Sequence, residues 1–429
     1  MSKLTKWAIS IIKKIFIKIL GFEPNIGELN FLKDLSFTML ATFSVAFFMM
    51  IIQILGGRIL GPSEYGKYSL IETVANILFP LSIFGISTGV IFYMSKEKEQ
   101  KEFYTAGLMA ILINIFLVFL IFYLTVNFWA NHLKIEKNIL ILGLFFLIVI
   151  TLKNFGSAFL RATKKIKMLA FVEFLSGAVA LVLFFILFVL KPKDFFLIFY
   201  PKIIYFSLAF IIPFFISIPF IKKTKIGHIK EIYSYSHFIF WALLGGTFIV
   251  FADRFFINYF LGTYSVGLYQ AYYFSAQAII MQALQAFNLI FFPTMVQTQS
   301  KKLVIQKTNS LLYKNLPLIF VFNFLSTLFF LWLFGKEYKI DYYWIFLLAI
   351  QMTFYILYNI YANITISFDK EGAKKYGEAL MISAFLFSFL GFVFIKNLGI
   401  PGAIITKVFI YFLLAFFYKK YVDYRIKEI

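Results

Sequence analysis

The sequence of 429 residues contains no cysteine and only three histidines. The absence of cysteine excludes disulfides, thiolate chemistry and cysteine-ligated metal sites. The histidines, His132, His228 and His237, are scattered in or beside predicted loops, without the spacing of metal ligands. No G-x-x-x-x-G-K-[ST] phosphate loop occurs, which argues against ATP hydrolysis by this chain. The absence of these motifs indicates a protein that is not an enzyme and that uses no cofactor.

Charged residues are also scarce, and hydrophobic residues are correspondingly abundant. Charged residues make up 14% of the sequence, hydrophobic residues make up 62%, and the mean hydropathy is +0.87, whereas soluble domains are about half apolar and about a quarter charged. Apolar runs of roughly 20 residues, the length that crosses a hydrocarbon core about 30 Å thick, recur along the chain. Runs such as 111–123 are apolar on every face, unlike the alternating strands of a membrane barrel. The sequence therefore predicts an all-α integral membrane protein.

We predict about twelve transmembrane helices in two lobes of six. In the N-terminal lobe, residues 35–221, the spans are 35–57, 68–94, 104–128, 138–160, 168–190 and 196–220. In the C-terminal lobe, residues 222–429, they are 237–260, 266–293, 312–335, 342–368, 377–396 and 400–420. Apolar residues and lysines occupy opposite helical faces of segment 1–34, which predicts a basic amphipathic helix in the plane of the membrane. A disordered tail is the alternative.

Lysine and arginine predict the orientation. With the N-terminus in the cytoplasm, about 27 of these residues lie on the cytoplasmic side and about 9 on the other, a strong positive-inside bias. A missed or extra helix would destroy this bias, so the bias supports twelve spans. We expect an inner-membrane protein with both termini in the cytoplasm. The net charge of +21 sits in short clusters between spans, which indicates anionic lipid headgroups as partners rather than nucleic acid.

A short motif occurs in both lobes. Residues 60–68 and 261–269 each read L-G-x-x-x-x-G-x-Y, directly after the first and the seventh span. An arginine, Arg58 or Arg254, lies shortly upstream in each lobe. Because each lobe has an even number of helices, the two repeats share one orientation and would be related by an axis along the membrane normal. This arrangement predicts transport by alternating access.

The first copy, RILGPSEYGKY from Arg58 to Tyr68, resembles the R-x-L-G-x-x-x-Y-G-x-Y corner of the polysaccharide and O-antigen (Wzx-like) flippases. These belong to the multidrug/oligosaccharidyl-lipid/polysaccharide (MOP) exporter superfamily. Residues 252–254 are similar to the seventh helix of that family, and residues 398–404 to the Gly-x-x-Gly-Ala start of its last helices. The resemblance implies two six-helix lobes around a central cavity, which is cationic in the flippase branch. That cavity accepts the pyrophosphate and sugars of an undecaprenyl-linked oligosaccharide, while the polyprenyl tail stays in lipid.

The implied function is translocation of this glycolipid from the cytoplasmic to the outer leaflet, for O-antigen, capsule or exopolysaccharide biosynthesis. An ion-coupled multidrug exporter of the same superfamily is the alternative, since the drug-extruding branch couples to protons or sodium through buried carboxylates. A membrane polymerase or ligase acting on the same glycolipids is a third hypothesis. Such enzymes carry a large extracytoplasmic loop, and every outward loop predicted here has about ten residues or fewer.

Ionisable groups at membrane depth mark the candidate site, because each costs at least a few kcal/mol to insert. The candidates for binding pyrophosphate are four cations, whose charge and hydrogen-bond donors suit phosphate oxygens: Arg254, Lys153, Lys407 and Arg58. The candidates for ion coupling or structural ion pairs are Asp253, Glu72 and Glu173. For Arg58, anchoring at the membrane interface is an equal alternative.

Several further expectations concern polar residues of the spans. Lys202 and Glu378 are expected to extend to the membrane interface. Asp253 and Arg254 are sequence neighbours that do not share a helix face, so we expect each to have its own partner. A polar stripe in the eighth span would meet either sugar hydroxyls or neighbouring helices; its members are Tyr272, Tyr273, Gln277, Gln282 and Gln285.

Overall fold

The computed structural model describes residues 26–96, 100–190, 194–297 and 301–428. The first half contains α1 (Ile26–Ile83), α2 (Ile86–Lys96), α3 (Gln100–Leu124), α4 (Val126–Leu133), α5 (Lys137–Ala162), α6 (Ile166–Leu190), α7 (Phe196–Ser217) and a 3-10 helix (Ile218–Phe220). The second half contains α8 (Ile226–Phe251), α9 (Asp253–Leu261), α10 (Thr263–Gln277), α11 (Ile280–Gln297), α12 (Lys301–Phe334), α13 (Tyr342–Phe368), α14 (Lys370–Leu398) and α15 (Ile400–Glu428). Most of the predicted amphipathic segment, residues 1–25, lies outside the described residues.

The helices are those of a multi-pass membrane protein. Ten helices in the described ranges are long and apolar enough to cross a membrane, which confirms the all-α membrane fold. Within such a helix every backbone N–H and C=O group is satisfied internally, as hydrocarbon requires. Their outer faces expose large apolar side chains, such as Phe385 at 72% and Leu190 at 73%. The count of twelve spans stays a prediction.

The two copies of the repeated motif form equivalent helix breaks. Gly61 interrupts α1 with φ 70° and ψ 172°, and Gly262 separates α9 from α10 with φ 82° and ψ 171°. This backbone conformation is essentially restricted to glycine, which explains why the motif needs its first glycine. Gly61 divides α1 into two arms: the first corresponds to the predicted span 35–57, and the second, together with α2, corresponds to the predicted span 68–94.

Helix packing places one boundary between the two halves. In the first half, α5 and α6 pack against α1 and against α7; in the second half, α15 packs against α13 and α14, and α14 packs against α8. The halves meet where α10 lies along α1 and where α8 contacts α1, α2 and α3. The charged groups of the spans are carried by these helices and by the helices packed against them, and the cleft described below lies between the two halves.

Candidate functional site

A buried charge cluster lies where α8 ends and α9 begins. Asp253, the first residue of α9, binds two cations: its Oδ1 is 2.8 Å from Nη1 of Arg254 and its Oδ2 is 2.7 Å from Nζ of Lys407. The hydroxyl of Tyr269 donates a further hydrogen bond to Oδ2. The side chains of Asp253 and Lys407 have no exposed area and that of Arg254 is 2% exposed. The carboxylate is thus shared between two buried cations.

The remaining donors of these cations are also bound to protein. The carbonyl of Val250 accepts from Nζ of Lys407 at 2.8 Å and from Nη1 of Arg254 at 2.6 Å. Nε and Nη2 of Arg254 donate to Oε1 of Gln270 at 3.0 and 2.9 Å. The ring of Tyr273 lies 3.9 Å from Nζ of Lys407 and 4.7 Å from Cζ of Arg254. In this conformation, Arg254 and Lys407 are held by protein groups.

The expectation that Asp253 and Arg254 each have their own partner holds for Lys407 on Asp253 and for Gln270 on Arg254, but the two neighbours also pair with each other. Both lie in the first turn of α9, just after the break between α8 and α9. The arginine side chain is long enough to fold back onto the neighbouring carboxylate there. Adjacent residues leave a helix in different directions, but the guanidinium stands at the end of a long flexible chain and reaches across this difference.

In the first half, two separate ion pairs join different helices: one joins α5 to α6 and the other joins α7 to α1. Nζ of Lys153 is 2.8 Å from Oε1 of Glu173, and both side chains are less than one-fifth exposed. Glu173 also accepts hydrogen bonds from the hydroxyls of Tyr205 and Ser157. Lys153 and Ser157 are four residues apart and therefore share one face of α5. This carboxylate has three donors around it.

The second ion pair corrects the expectation for Lys202. Its Nζ lies 2.9 Å from Oε1 of Glu72 and 5.1 Å above the ring of Tyr68. Lys202 is 7% exposed, so it does not extend to the membrane interface. A long side chain near a helix end reaches either water or an internal partner, and sequence does not reveal that α1 places Glu72 within reach. Glu378 is 42% exposed and pairs with Lys375 at 3.0 Å, as expected for an interfacial residue.

Arg58 has a different environment. It is exposed and lies three residues before the Gly61 break. Its side chain runs past Gly335, where an added Cβ would be 3.3 Å from Cγ and Nε of the arginine. Gly335 belongs to the turn between α12 and α13. This position agrees with the anchoring alternative for Arg58, and a role in binding cargo stays a prediction.

Sequence reasoning missed two buried glutamines, Gln53 and Gln270, that are hydrogen-bonded within the spans. The hydroxyl of Tyr65, in the repeated motif, donates to Oε1 of Gln53 at 3.1 Å inside α1, and Gln270 holds Arg254 from α10. All of these side chains are buried. The signal was a glutamine within an apolar span, which costs free energy unless it is hydrogen-bonded. Within the predicted stripe, Tyr272 bonds to the backbone of the turn between α12 and α13, in agreement with the structural alternative.

A cleft of about 490 Å³ lies between the halves. None of the seven candidate charged residues is among the described side chains that line it. The lining is apolar apart from aromatic heteroatoms: Val74, Ile77, Leu78, Leu81, Phe122, Val126, Trp129, His132, Leu133, Leu140, Leu144, Leu244, Phe248, Ala252, Phe255, Phe256, Tyr259 and Phe392. Within the described residues no group of histidine, aspartate and glutamate side chains could hold a metal ion.

Comparison with solved structures identifies the fold. The chain is similar to an inward-facing MATE-family multidrug resistance transporter of the MOP superfamily, with a TM-score of 0.67 and 12% identity over 90% of this chain and 94% of that one. A MOP transporter from Pyrococcus furiosus Vc1, whose binding pocket has reverse polarity, gives a TM-score of 0.63 and 12% identity over 92% and 96%. The lipid II flippase MurJ, inward closed, gives 0.61 and 15% identity over 90% and 87%.

No curated protein sequence matches this chain. The sequence model of one family, described as polysaccharide biosynthesis protein, matches residues 31–299, which is more than half of the sequence and includes both copies of the repeated motif. The charge cluster of α9 and both ion pairs of the first half, except for Lys407, lie inside this range. The chain therefore belongs to the polysaccharide biosynthesis protein family, and its fold is that of the MOP transporters rather than that of an enzyme.

Proposed function

We propose that this protein is a flippase that moves an undecaprenyl-pyrophosphate-linked oligosaccharide from the cytoplasmic to the outer leaflet by alternating access. The glycolipid would serve the synthesis of O-antigen, capsule or exopolysaccharide. One observation carries the proposal: the buried and half-buried ion pairs that join helices of the described spans, together with Arg254, contain one more cation than carboxylates. The cations are Lys153, Lys202, Arg254 and Lys407, and the carboxylates are Glu72, Glu173 and Asp253.

An excess positive charge at membrane depth is unfavourable unless an anion compensates it. A pyrophosphate supplies such an anion, and guanidinium and ammonium groups both bind its oxygens. In the conformation described here the candidate cations are held by carboxylates, so binding of cargo requires exchange of partners. We propose that pyrophosphate displaces Asp253 from Arg254 and Lys407, and Glu173 from Lys153, when the halves rearrange. A proton or sodium ion on the released carboxylates would couple this exchange to an ion gradient.

The proposed topology has twelve spans, with both termini in the cytoplasm and the protein in the inner membrane. Two features support the number. The break at Gly61 turns α1 into two spans, and α10 and α11 follow each other closely enough to form a further one. Together with the other helices this gives six spans per half. The excess of lysine and arginine on one side, which includes the turn at Arg161 and the C-terminal end of α15, supports the orientation.

The first experiment deletes the gene in its host and measures lipid-linked oligosaccharides by mass spectrometry. The expected result is accumulation of an undecaprenyl-pyrophosphate glycan that the wild-type gene clears. Arg254→Ala and Lys153→Ala should fail to clear it, whereas Arg161→Ala, which removes an exposed cation from the last turn of α5, should clear it fully. The amount of each variant in the membrane is measured in parallel, so that loss of protein is separated from loss of transport.

The alternative, an ion-coupled multidrug exporter, requires carboxylates in the first half that are free to exchange a cationic drug for an ion. Glu72 and Glu173 are each bound to a lysine instead, and the excess of cations over carboxylates in the spans favours an anionic cargo over a cationic drug. If the deletion leaves lipid-linked sugars unchanged and sensitises the host to cationic drugs, the flippase proposal is wrong and the exporter replaces it.

A further inference from the structure

The cations proposed to bind pyrophosphate during translocation, Arg254, Lys153 and Lys407, lie outside the lining of the apolar cleft between the halves, so the cleft is distinct from that site. Its walls come from both halves: the second arm of α1 with α3, α4 and α5 on one side, and α8, α9 and α14 on the other. Val74 and Leu78 contribute from α1, and Phe248 and Phe256 contribute from α8 and α9. A site with such walls binds hydrocarbon.

The cleft is long. Leu244 and Tyr259 line it from the second half and are fifteen positions apart, which corresponds to about 22 Å at a helical rise of about 1.5 Å per residue. The hydrocarbon core of a bilayer is about 30 Å thick. The cleft therefore runs along a large part of one lipid chain, a shape that suits an extended chain better than a compact drug.

One end of the cleft is polar. Trp129, His132 and Tyr259 lie there, and Nζ of Lys134 is 4.2 Å from the centroid of the Tyr259 ring. Trp and Tyr are enriched where hydrocarbon meets water, so this end lies at a membrane surface. By the predicted orientation it is the outer surface. An exposed ammonium group beside a hydrocarbon cleft complements a lipid that carries a phosphate.

The two walls are joined at this same end. Nδ2 of Asn258, in α9, donates to the carbonyls of Leu133 and Lys134 at the end of α4, at 3.2 and 2.9 Å. Ala252 also lines the cleft, and the next residue in the chain is Asp253 of the charge cluster. The shape of the cleft therefore depends on how the two halves, and the charge cluster, are placed.

We infer that the cleft is the exit site for the translocated glycolipid: it holds part of the polyprenyl chain while the phosphate end lies at Lys134. This inference rests on the proposed flippase function and departs from the family expectation that the whole tail stays in bulk lipid. A bulk phospholipid needs no site that both halves build. A cargo lipid does, because its release must follow the movement of the halves.

Photo-crosslinking tests which lipid occupies the cleft. A benzophenone-bearing phenylalanine replaces Phe256 in the cleft or, as the control, Phe385 on the lipid-facing surface of α14. The protein is reconstituted in vesicles of phosphatidylethanolamine and phosphatidylglycerol that contain a small fraction of undecaprenyl phosphate. After illumination the adducts are identified by mass spectrometry. The ratio of isoprenoid to phospholipid adducts at position 256 should exceed that at position 385 about tenfold, which corresponds to about 1.4 kcal/mol of preference.

Two matched pairs of variants test the location. Ile77→Trp fills the cleft from α1 and should abolish the isoprenoid preference at position 256, whereas Ile382→Trp, the same change on an exposed surface at 67%, should leave it intact. Lys134→Gln should weaken the preference, and Lys137→Gln, a nearby exposed lysine, should not. Melting temperatures confirm that each variant is folded.

Equal ratios at positions 256 and 385, or a preference that survives Ile77→Trp, overturn the inference. Binding of phospholipid alone in the cleft is such an outcome. These results are independent of the deletion experiment: accumulation of the glycolipid in the deletion strain without isoprenoid adducts in the cleft would leave the flippase function standing and remove the exit site. Isoprenoid adducts without accumulation of the glycolipid would show that the cleft binds a polyprenyl chain, but they would remove both the flippase function and the role of the cleft as an exit site.

Discussion

The backbones of Gly66 and Gly267, the second glycines of the two copies of the repeated motif, are packed directly against each other. A Cβ built on Gly66 would overlap the carbonyl oxygen of Thr263 and would lie 3.0 Å from the nitrogen of Gly267. A Cβ built on Gly267 would overlap the carbonyl of Pro62 and lie 2.9 Å from the nitrogen of Gly66. Small residues let membrane helices approach to backbone contact, and here the repeat uses them to join its own two copies.

This contact predicts that neither glycine tolerates a methyl group. Gly66→Ala and Gly267→Ala should each lower the free energy of unfolding by about 1–3 kcal/mol, as overpacking does. Gly246→Ala is the matched control, because its Cβ would meet only Leu380 at an ordinary 3.8 Å, and alanine stabilises a helix interior by roughly 0.5–1 kcal/mol over glycine. Melting temperatures in detergent measure all three. Equal effects at the three positions would contradict the direct contact.

The shared carboxylate predicts strong coupling in the second half. Asp253→Asn leaves Arg254 and Lys407 buried without an anion and should destabilise the protein by about 3–5 kcal/mol. Adding Lys407→Met should restore a large part of that loss, because the double variant retains one cation instead of two. Asp423→Asn, which breaks a partly exposed pair with Lys419, should cost at most about 1 kcal/mol. Additive effects of the two cluster substitutions would show that the carboxylate does not hold Lys407.

The ion pair between Lys153 and Glu173 allows a structural role of Lys153 to be distinguished from a role in transport. Lys153→Glu and Glu173→Lys should each destabilise the protein, whereas the double exchange should restore the melting temperature, because the ion pair is re-formed in reverse. If Lys153 also binds pyrophosphate at its present position, the double exchange should restore stability but not clearance of the glycolipid. Restoration of both would assign Lys153 a structural role alone.

The repeat illustrates what the sequence reveals. The first glycine of each L-G-x-x-x-x-G-x-Y motif and the arginine upstream of it are evident from the sequence alone. In the structure, these glycines, Gly61 and Gly262, have the same backbone conformation. Membrane-depth charges were also visible, since an ionisable residue is rare in an apolar run. Their partners were not: Lys407 lies on α15 and Asp253 on α9, and nothing local to either residue indicates the other.

The cleft was beyond prediction for a different reason. It is built from apolar residues such as Leu78, Phe122 and Phe256, which in sequence look the same as residues that face lipid. Only the packing of α1, α3 and α9 distinguishes a residue that lines a cleft from one that faces the bilayer. The same limit applies to Lys202, because only the packing of α7 against α1 reveals that Glu72 lies beside it.

A pH effect is expected at the turn between α13 and α14. The carboxylate of Asp369 accepts a hydrogen bond from the N–H of Gly372 at 2.8 Å and pairs with Arg425 at 2.7 Å, and these interactions lower its pKa. A lowered pKa stabilises the folded state above the unfolded pKa of about 3.9, and this contribution disappears as the pH falls below that value. Asp369→Asn keeps the helix cap but removes the charge.

The melting temperature of the Asp369→Asn variant should therefore lie slightly below that of the wild type near neutral pH, and the gap should close as the pH falls toward about 3. The gap is small because the carboxylate is 38% exposed and such pairs contribute at most about 1 kcal/mol. Arg425→Gln removes the same ion pair and should reproduce the effect. A gap that stays constant down to the lowest pH would exclude the ion pair as its cause.

The absence of cysteine makes the proposed topology directly measurable, since any introduced cysteine is the only thiol. Lys165→Cys, in the turn between α5 and α6, and Lys336→Cys, in the turn between α12 and α13, both replace exposed lysines. If both termini are cytoplasmic, a membrane-impermeant maleimide added to intact spheroplasts should label position 336 and not position 165, and disruption of the membrane should expose both. Twelve spans require these turns on opposite sides, because one follows the fourth span and the other follows the ninth. Labelling of both positions in intact spheroplasts would show that the number of spans between them is not odd and would contradict the count of twelve. Labelling of position 165 alone would agree with twelve spans but would mean that the orientation is reversed. The phosphate end of the cleft would then lie in the cytoplasmic leaflet.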